Sequence, residues 1–254
     1  MLSVIIICKN EEINIRECLE SVSWADEIIV LDSGSNDNTV AICQEFTDKV
    51  HITDWPGFGK QKQRALELAT QPWILSIDAD ERITQESKNE ILETVNRADA
   101  VDGYHLPRSS NFCGRFMRHS GWYPDYVLRL FRRENARFTD DVVHERVLCT
   151  GTTANLKHPI LHYTYDSLDQ AVEKANLYST LGAEKLYEEG KQSSVSKAFL
   201  KGFWAFLRTF LFRQGFRDGK HGLLLAVVNA EATYNKYAKL ALKTKLNLSS
   251  DKKH

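Results

Sequence analysis

Trp73-Ile74-Leu75-Ser76-Ile77-Asp78-Ala79-Asp80-Glu81 opens as an apolar run of strand length and closes on three carboxylates within four residues. Such a run, bounded by turn and charge signals, is a buried strand. Carboxylate oxygens are hard ligands suited to Mg²⁺ or Mn²⁺, and a divalent ion clamps a diphosphate. Open α/β sheets bind their ligands at the carboxyl ends of the strands. One strand with an acidic tip therefore points to nucleotide-diphosphate chemistry on an α/β sheet.

On either side of this strand, strand and helix signals alternate. Strands are predicted over 3–8, 27–31, 50–53 and 73–77, and helices over 12–22, 38–46, 58–69 and 84–97. Asp37 and Thr84 stand where helix N-caps belong. Alternation at these lengths implies βαβ crossovers and a mostly parallel, twisted sheet with flanking helices. Further strands, over 103–109, 127–131, 142–148 and 160–165, follow without long helices between them. They are expected to add antiparallel strands and to build the second half of a cleft. From 167 on the chain is helical. The expected division is an α/β domain over 1–166 and a C-terminal helical region over 167–254.

With 254 residues, 43% of them hydrophobic, the chain can bury a sizeable core without disulfides or a structural metal. Five scattered cysteines form no close pair, which fits reduced thiols and a cytosolic setting. Met1 runs straight into strand-like sequence, so no signal peptide is expected. No apolar stretch approaches the roughly 20 residues of a spanning helix. The histidines show no zinc spacing, and P-loop, G-x-G-x-x-G and G-x-S-x-G signatures are absent.

Four polar groups stand at strand ends or in the later strand region. Lys9-Asn10-Glu11-Glu12 follows the first strand, where a polar loop can contact a base or ribose. Asp32-Ser33-Gly34-Ser35 follows the second, with Gly34 permitting a tight turn; Asp32 can accept a hydrogen bond from a base N–H. Asp78-Ala79-Asp80-Glu81 follows the fourth. Unpaired buried carboxylates repel and shift their pKa values upward, a cost that a bound cation removes. The last group is Asp140-Asp141-Val142-Val143-His144-Glu145-Arg146. Sugar transfer with inversion needs a general base for an acceptor hydroxyl. Glu145 with His144 is the first choice for it, and Asp141 the second. Arg129 or Arg132 can hold a diphosphate or an anionic acceptor, because guanidinium matches phosphate geometry. Lys60, Lys62 and Arg64 on the basic helix are further phosphate candidates, and Trp122 can stack on a sugar face.

Charge is unevenly distributed. From 191 onward, thirteen Lys or Arg face three acids, although the whole chain is near neutral at −1. At helical spacing, Phe199, Phe203, Phe206 and Phe210 form one stripe, with Lys197, Lys201 and Arg208 opposite. Aromatic residues against basic ones is the pattern of an interfacial helix. The competing reading packs these aromatics on the domain.

The motifs of 3–165 resemble those of inverting glycosyltransferases of family 2, which have the GT-A fold. The resemblance rests on Val4-Ile5-Ile6-Ile7-Cys8-Lys9-Asn10-Glu11-Glu12, on Asp32-Ser33-Gly34-Ser35 with Asp37 and Thr39, and on Asp78-Ala79-Asp80-Glu81. Gly121-Trp122-Tyr123-Pro124, Arg129-Leu130-Phe131 and Val143-His144-Glu145 make the chain most similar to lipooligosaccharide and lipopolysaccharide core β-1,4-glucosyltransferases. The resemblance implies UDP-glucose as donor and a heptose of the lipid A–linked core oligosaccharide as acceptor. It implies that Asp32 reads the uracil, Asp78 the ribose or diphosphate, and Asp80 a Mg²⁺ or Mn²⁺ ion. It places the protein in the cytoplasm, peripheral on the inner-membrane surface, with no nucleic-acid partner. The best-known members use an Asp as base, where this chain offers His144-Glu145. A nucleotidyltransferase or a non-catalytic nucleotide-sugar binder is the alternative. The former is expected to carry a Gly-rich basic loop after the first strand, where this chain has Lys9-Asn10-Glu11-Glu12.

Overall fold

Alternation along the first strand explains the layers. β1 (Leu2–Cys8) is buried at every position. Its Val4, Ile6 and Cys8 enter one apolar cluster and its Ile5 and Ile7 another, because successive side chains of a strand point to opposite faces. A strand that is apolar on both faces needs cover above and below.

The computed structural model describes residues 1–139 and 146–250. After β1 come α1 (Ile15–Val22), β2 (Glu27–Asp32), α2 (Thr39–Gln44), β3 (Val50–Ile52), α3 (Phe58–Leu68), β4 (Trp73–Asp78), β5 (Glu81–Ile83) and α4 (Gln85–Val95). The middle of the chain forms β6 (Gly103–Phe112), β7 (Arg115–Phe116), β8 (Asp125–Arg132), β9 (Ala136–Phe138), β10 (Val147–Cys149), β11 (Thr153–Asn155) and β12 (Ile160–Tyr165). It continues into α5 (Leu168–Glu188), α6 (Val195–Leu207) and α7 (Gly219–Ser250). The predicted strands over 27–31, 73–77 and 160–165 fall within a residue of β2, β4 and β12. Of the strand predicted over 142–148, residues 147–148 lie in β10 and 142–145 lie outside the described residues. β5, β9 and β11 are not anticipated, since three residues carry too little pattern.

The main sheet runs β3-β2-β1-β4-β8-β6-β12-β5. β3, β2, β1 and β4 are mutually parallel. β8 joins β4 antiparallel, β6 joins β8 antiparallel, and β12 pairs β5 antiparallel. The sheet is thus mixed, a parallel half of four strands extended by antiparallel ones, as the two stretches of sequence lead one to expect. Parallel neighbours need a crossover of a dozen or more residues, and the crossover helices stop after α4. α1 lays Ile15, Cys18, Leu19 and Val22 on one face of the sheet. α3 lays Ala65 and Leu66 on the other.

Two compact units share the chain: Met1–Ser109 with Asp125–His162, and Ser110–Pro124 with Tyr163–His254. The expected boundary at 166/167 leaves 110–124 with the sheet, yet this segment belongs with the helices. Phe112 and Met117 are fully buried with Ala171, Leu225 and Val228. Asp218 is buried and accepts from the backbone N–H of Arg118 (3.2 Å) and His119 (2.9 Å). Trp122, a sugar-stacking candidate from the sequence, packs edge-on to Phe112 at 5.8 Å within this second unit.

In the first unit, Glu27 opens β2 and is buried. Its carboxylate accepts from Lys49 Nζ and Ser3 Oγ, and from Thr70 N and Oγ1 at 2.8 and 2.9 Å. Burial opposes its charge, but these donors prevail and lower its pKa from 4.5 to about 2. A carboxylate lowered in the fold stabilises it above the ordinary pKa, and that contribution is lost as pH falls through the folded value. Glu27→Gln should cost about 3 kcal/mol at pH 7. In urea unfolding, the gap to the native chain should narrow as pH drops from 4.5 toward about 2.

Candidate active site

β2 and β3 lie on one side of β1, and β4 lies on the other. The order of strands therefore reverses between β1 and β4, and ligands of open α/β sheets bind at such a switch point, beyond the carboxyl ends of the strands. The loops that leave there are Lys9-Asn10-Glu11-Glu12 and Ala79-Asp80. Asp32 is opposite Cys8, and Asp78 opposite Ile7. With neighbouring strands about 4.8 Å apart, the two aspartates end strands about 10 Å apart across β1.

The loops after β1 and β2 are laced together. Asn10 takes a left-handed backbone conformation (φ 56°). Its N–H donates to Ser35 Oγ at 2.8 Å, and its Oδ1 accepts from Asn36 N at 2.9 Å. Glu11 N donates to Thr39 Oγ1 at 2.8 Å, and Glu12 N to Asp37 Oδ2 at 3.2 Å. Asp32 is fully buried. Its Oδ1 accepts from Gly34 N (2.9 Å) and Ser35 N (2.8 Å), and its Oδ2 from Ser35 Oγ. Asp32 thus holds its own turn.

Strand parity builds the other side. Asp78 points to the same face as Ile74, the face that α3 covers. From α3, Lys62 Nζ reaches Asp78 Oδ1 at 2.9 Å. Arg129 on β8 shares parity with Phe131 and arrives on that same face. It pairs with Asp78 and, at 2.7 Å, with Glu81 Oε1. Glu81 is fully buried, and its Oε2 accepts from Asp78 N at 3.0 Å. Burial raises the pKa of Asp78, but Arg129 and Lys62 outweigh it and hold the carboxyl well below the usual range. Burial likewise opposes the charge of Arg129, which Asp78 and Glu81 keep strongly protonated. The Nε of Arg129 is buried without an acceptor among the described residues.

Lys60 is exposed on α3, and Lys62, two residues on, is the lysine that meets the acid cluster. The sequence carried a signal for this. Lys62 shares the helical stripe of Ala65, Leu66 and Ala69, so a lysine there is buried and needs a carboxylate. In the sequence Glu81 is one of several tip acids, and its part as a buried acceptor follows only from the fold.

Asp80 stands apart from this cluster. Its side chain is 28% exposed, and its Oδ2 lies 3.2 Å from His162 Nε2 on β12. No zinc-type spacing flags His162, because strand pairing between β12 and β5 brings it there. Among the described residues, no three His, Cys, Asp or Glu side chains gather closely enough to hold a metal ion. Asp80 and His162 together offer an oxygen and a nitrogen donor. This partial set fits a divalent ion that takes its remaining ligands from a diphosphate and water.

Beside Asp78 opens a pocket of 570 Å³, lined by Lys62, Asp78, His105, Arg108, Arg129 and Arg146 among others. Arg108 Nη2 pairs with Asp125 Oδ2 at 2.6 Å. Its cationic lining suits an anionic guest. Asp141, His144 and Glu145 lie outside the described residues.

The model of the family "Glycosyl transferase family 2" matches residues 3–155. Across its whole length the chain is 33% identical to the lipopolysaccharide core biosynthesis glycosyltransferase LpsC of Rhizobium meliloti, over 98% of that protein. It is 31% identical to an uncharacterized glycosyltransferase of Rickettsia typhi, over 98% of this chain and 91% of the relative. Among solved structures, S. aureus TarS 1–349 in complex with UDP-GlcNAc is similar at TM-score 0.48 and 16% identity, over 97% of this chain and 92% of that one.

Removing Arg129 leaves the buried Glu81 with only the more distant Arg108 at 3.9 Å, and Asp78 with Lys62 alone. Arg129→Met should cost about 3–5 kcal/mol in chemical unfolding. Arg129→Lys should recover only part of this, because one ammonium lacks the planar fork that serves two carboxylates. Adding Asp78→Asn to Arg129→Met should cost less than the sum of the single changes, the signature of direct coupling.

Proposed function

The chain belongs to glycosyl transferase family 2, and on that footing we propose that it moves glucose from UDP-glucose onto a heptose of the lipid A–linked inner core. The donor half of this reading rests on one observation: the acidic tip of β4 lies at the switch point, with Lys62 and Arg129 held against Asp78. The acceptor half rests on whole-length likeness to a relative named for lipopolysaccharide core biosynthesis.

The reaction is a displacement at the anomeric carbon. An acceptor hydroxyl attacks that carbon, the bond to the diphosphate oxygen breaks, and UDP leaves with the electron pair. The hydroxyl proton passes to a base among Glu145, His144 and Asp141, with Glu145 the first choice. Negative charge then develops on the departing diphosphate. Lys62 and Arg129, already fixed before the donor arrives, stabilise it without reorganising. Asn10 and Glu11 shape the loop that meets the base or ribose. Asp32 acts on the uracil through its turn, because both of its oxygens are engaged there. Lys60 is left for an outer phosphate oxygen. Asp80, with His162 beside it, would hold Mg²⁺ or Mn²⁺, and such an ion supplies further neutralisation of the diphosphate.

No helix among the described residues is long and apolar enough to cross a membrane. The protein is read as peripheral, on the cytoplasmic face of the inner membrane, where a nucleotide sugar meets a lipid-anchored acceptor.

A panel of UDP-, GDP- and dTDP-sugars with a core-oligosaccharide acceptor, read by mass, should yield one hexose addition from UDP-glucose; addition only from another donor overturns the glucose assignment. Asp80→Ala should lower metal-dependent UDP release by about 100-fold or more, with the unfolding midpoint little changed because Asp80 is outside the buried cluster. Full activity in that variant removes Asp80 from the metal site. Glu145→Gln should lower kcat by about 10²–10⁴-fold with donor KM nearly unchanged. Normal turnover there, with an inactive Asp141→Asn, assigns the base to Asp141.

A further inference from the structure

α6 is packed with its small side inward. Ala198, Gly202 and Ala205 are its buried residues. A Cβ on Gly202 would stand 3.0 Å from Tyr234 Cβ and 3.1 Å from Ala230 O on α7, so the glycine permits close helix approach. The large apolar side chains point away. Phe199, Leu200, Phe203, Trp204, Phe212 and Phe216 are between 52% and 67% exposed. Soluble helices bury their large residues and expose small or polar ones. Helices in lipid do the reverse, with small residues at helix contacts and bulky ones outside.

Charge follows the same plan. Residues 191–230 hold seven Lys or Arg and one acid, Asp218. Asp218 is buried and engaged by the backbone N–H groups of Arg118 and His119 and by Ser120 Oγ. The exposed surface of this segment therefore carries no negative side chain. A helix turns about 100° per residue. Lys197, Lys201 and Arg208 fall on one flank of α6, between the packed stripe and the outward apolar face. That is the height of phospholipid headgroups on a helix lying in the plane of a bilayer.

We infer that the outward face of α6, with Phe212 and Phe216 beyond its end, is a docking surface for an anionic lipid bilayer. The aromatic and leucine side chains enter the acyl boundary, and the basic flank meets lipid phosphates. A second copy of the chain is a poor occupant, because two such cationic faces repel. The inference deepens the membrane part of the proposed function. It is tested without any sugar, so its failure leaves the transferase reading standing, and the reverse also holds.

The test is sedimentation of the full chain with vesicles of phosphatidylcholine alone or with added phosphatidylglycerol. The native chain should pellet with the anionic vesicles, and less so as salt is raised. Phe203→Ser/Trp204→Ser/Phe212→Ser, all at exposed positions, should weaken binding at least tenfold while circular dichroism is unchanged. Lys201→Glu/Arg208→Glu should do the same on anionic vesicles, and Phe203→Leu/Phe212→Leu should retain binding. The inference is overturned if the native chain stays in solution with anionic vesicles, or if both disruptive variants bind as it does. It is also overturned if sedimentation velocity shows a dimer that the serine variant dissociates, since a second copy then covers the face.

Discussion

Four charged side chains at the end of β4 set what the first unit can do. Asp78 and Glu81 are acids placed in a low-dielectric site, and neither is tolerable there alone. Lys62 enters from α3 and Arg129 from β8, so a helix, two adjacent strands and the turn into β5 are tied at one point. The attachment of Glu81 to Asp78 N fixes the turn that carries Ala79 and Asp80. The position of Asp80 is therefore a consequence of charge pairing elsewhere. Such a site is organised before a donor enters, which is the condition for electrostatic stabilisation of a leaving group.

The acids of the motifs divide their tasks. Asp32 and Asp78 end the two strands that flank β1, and both carboxylates are largely engaged by protein donors. The adjoining Asn10–Glu11 loop and Asp80 are held in place by that engagement. Asn10 adopts a left-handed backbone in which Asn is among the better-tolerated residues. From there it bonds Ser35 and Asn36 in the turn that Asp32 secures. Buried acids thus act as fixtures, and polar groups on the loops they fix are the ones presented to a ligand. A motif acid being fully buried is compatible with function through its loop, and a direct base contact is not required of it.

Much of this was legible before coordinates. β-branched runs bounded by turn residues place β1, β2 and β4 to within a residue or so, because both faces of these strands are buried and their apolar signal is continuous. The acidic tip was legible for the same reason. Partners that depend on tertiary approach were harder. His162 reaches Asp80 only through the pairing of β12 with β5, and β5 is too short to announce itself. Choosing Lys62 over Lys60 required counting the apolar stripe of α3 around the lysines. Nothing in the local pattern marks the second unit's claim on 110–124, although the strand predicted over 103–109 runs on in β6 to Phe112. Its last residue, Phe112, packs instead with Met117, Leu225 and Val228.

In α6 the inner face is neither the aromatic stripe nor the basic one. Phe199, Phe203, Phe206 and Phe210 do form a stripe opposite Lys197, Lys201 and Arg208, but the face that meets α7 lies between the two. Aromatic rings spaced along a helix look like a core because water usually drives them inward. That inference fails when a second face offers closer backbone approach, as Ala198, Gly202 and Ala205 do. Close approach gains dispersion along the whole contact. The rings are then left beside the exposed side chains of residues 191–230, whose charges are all of one sign. In water alone this arrangement leaves apolar area exposed with no compensating contact. A low-dielectric, negatively charged neighbour resolves both features at once, and a single physical partner therefore accounts for the inverted packing and the missing acids together.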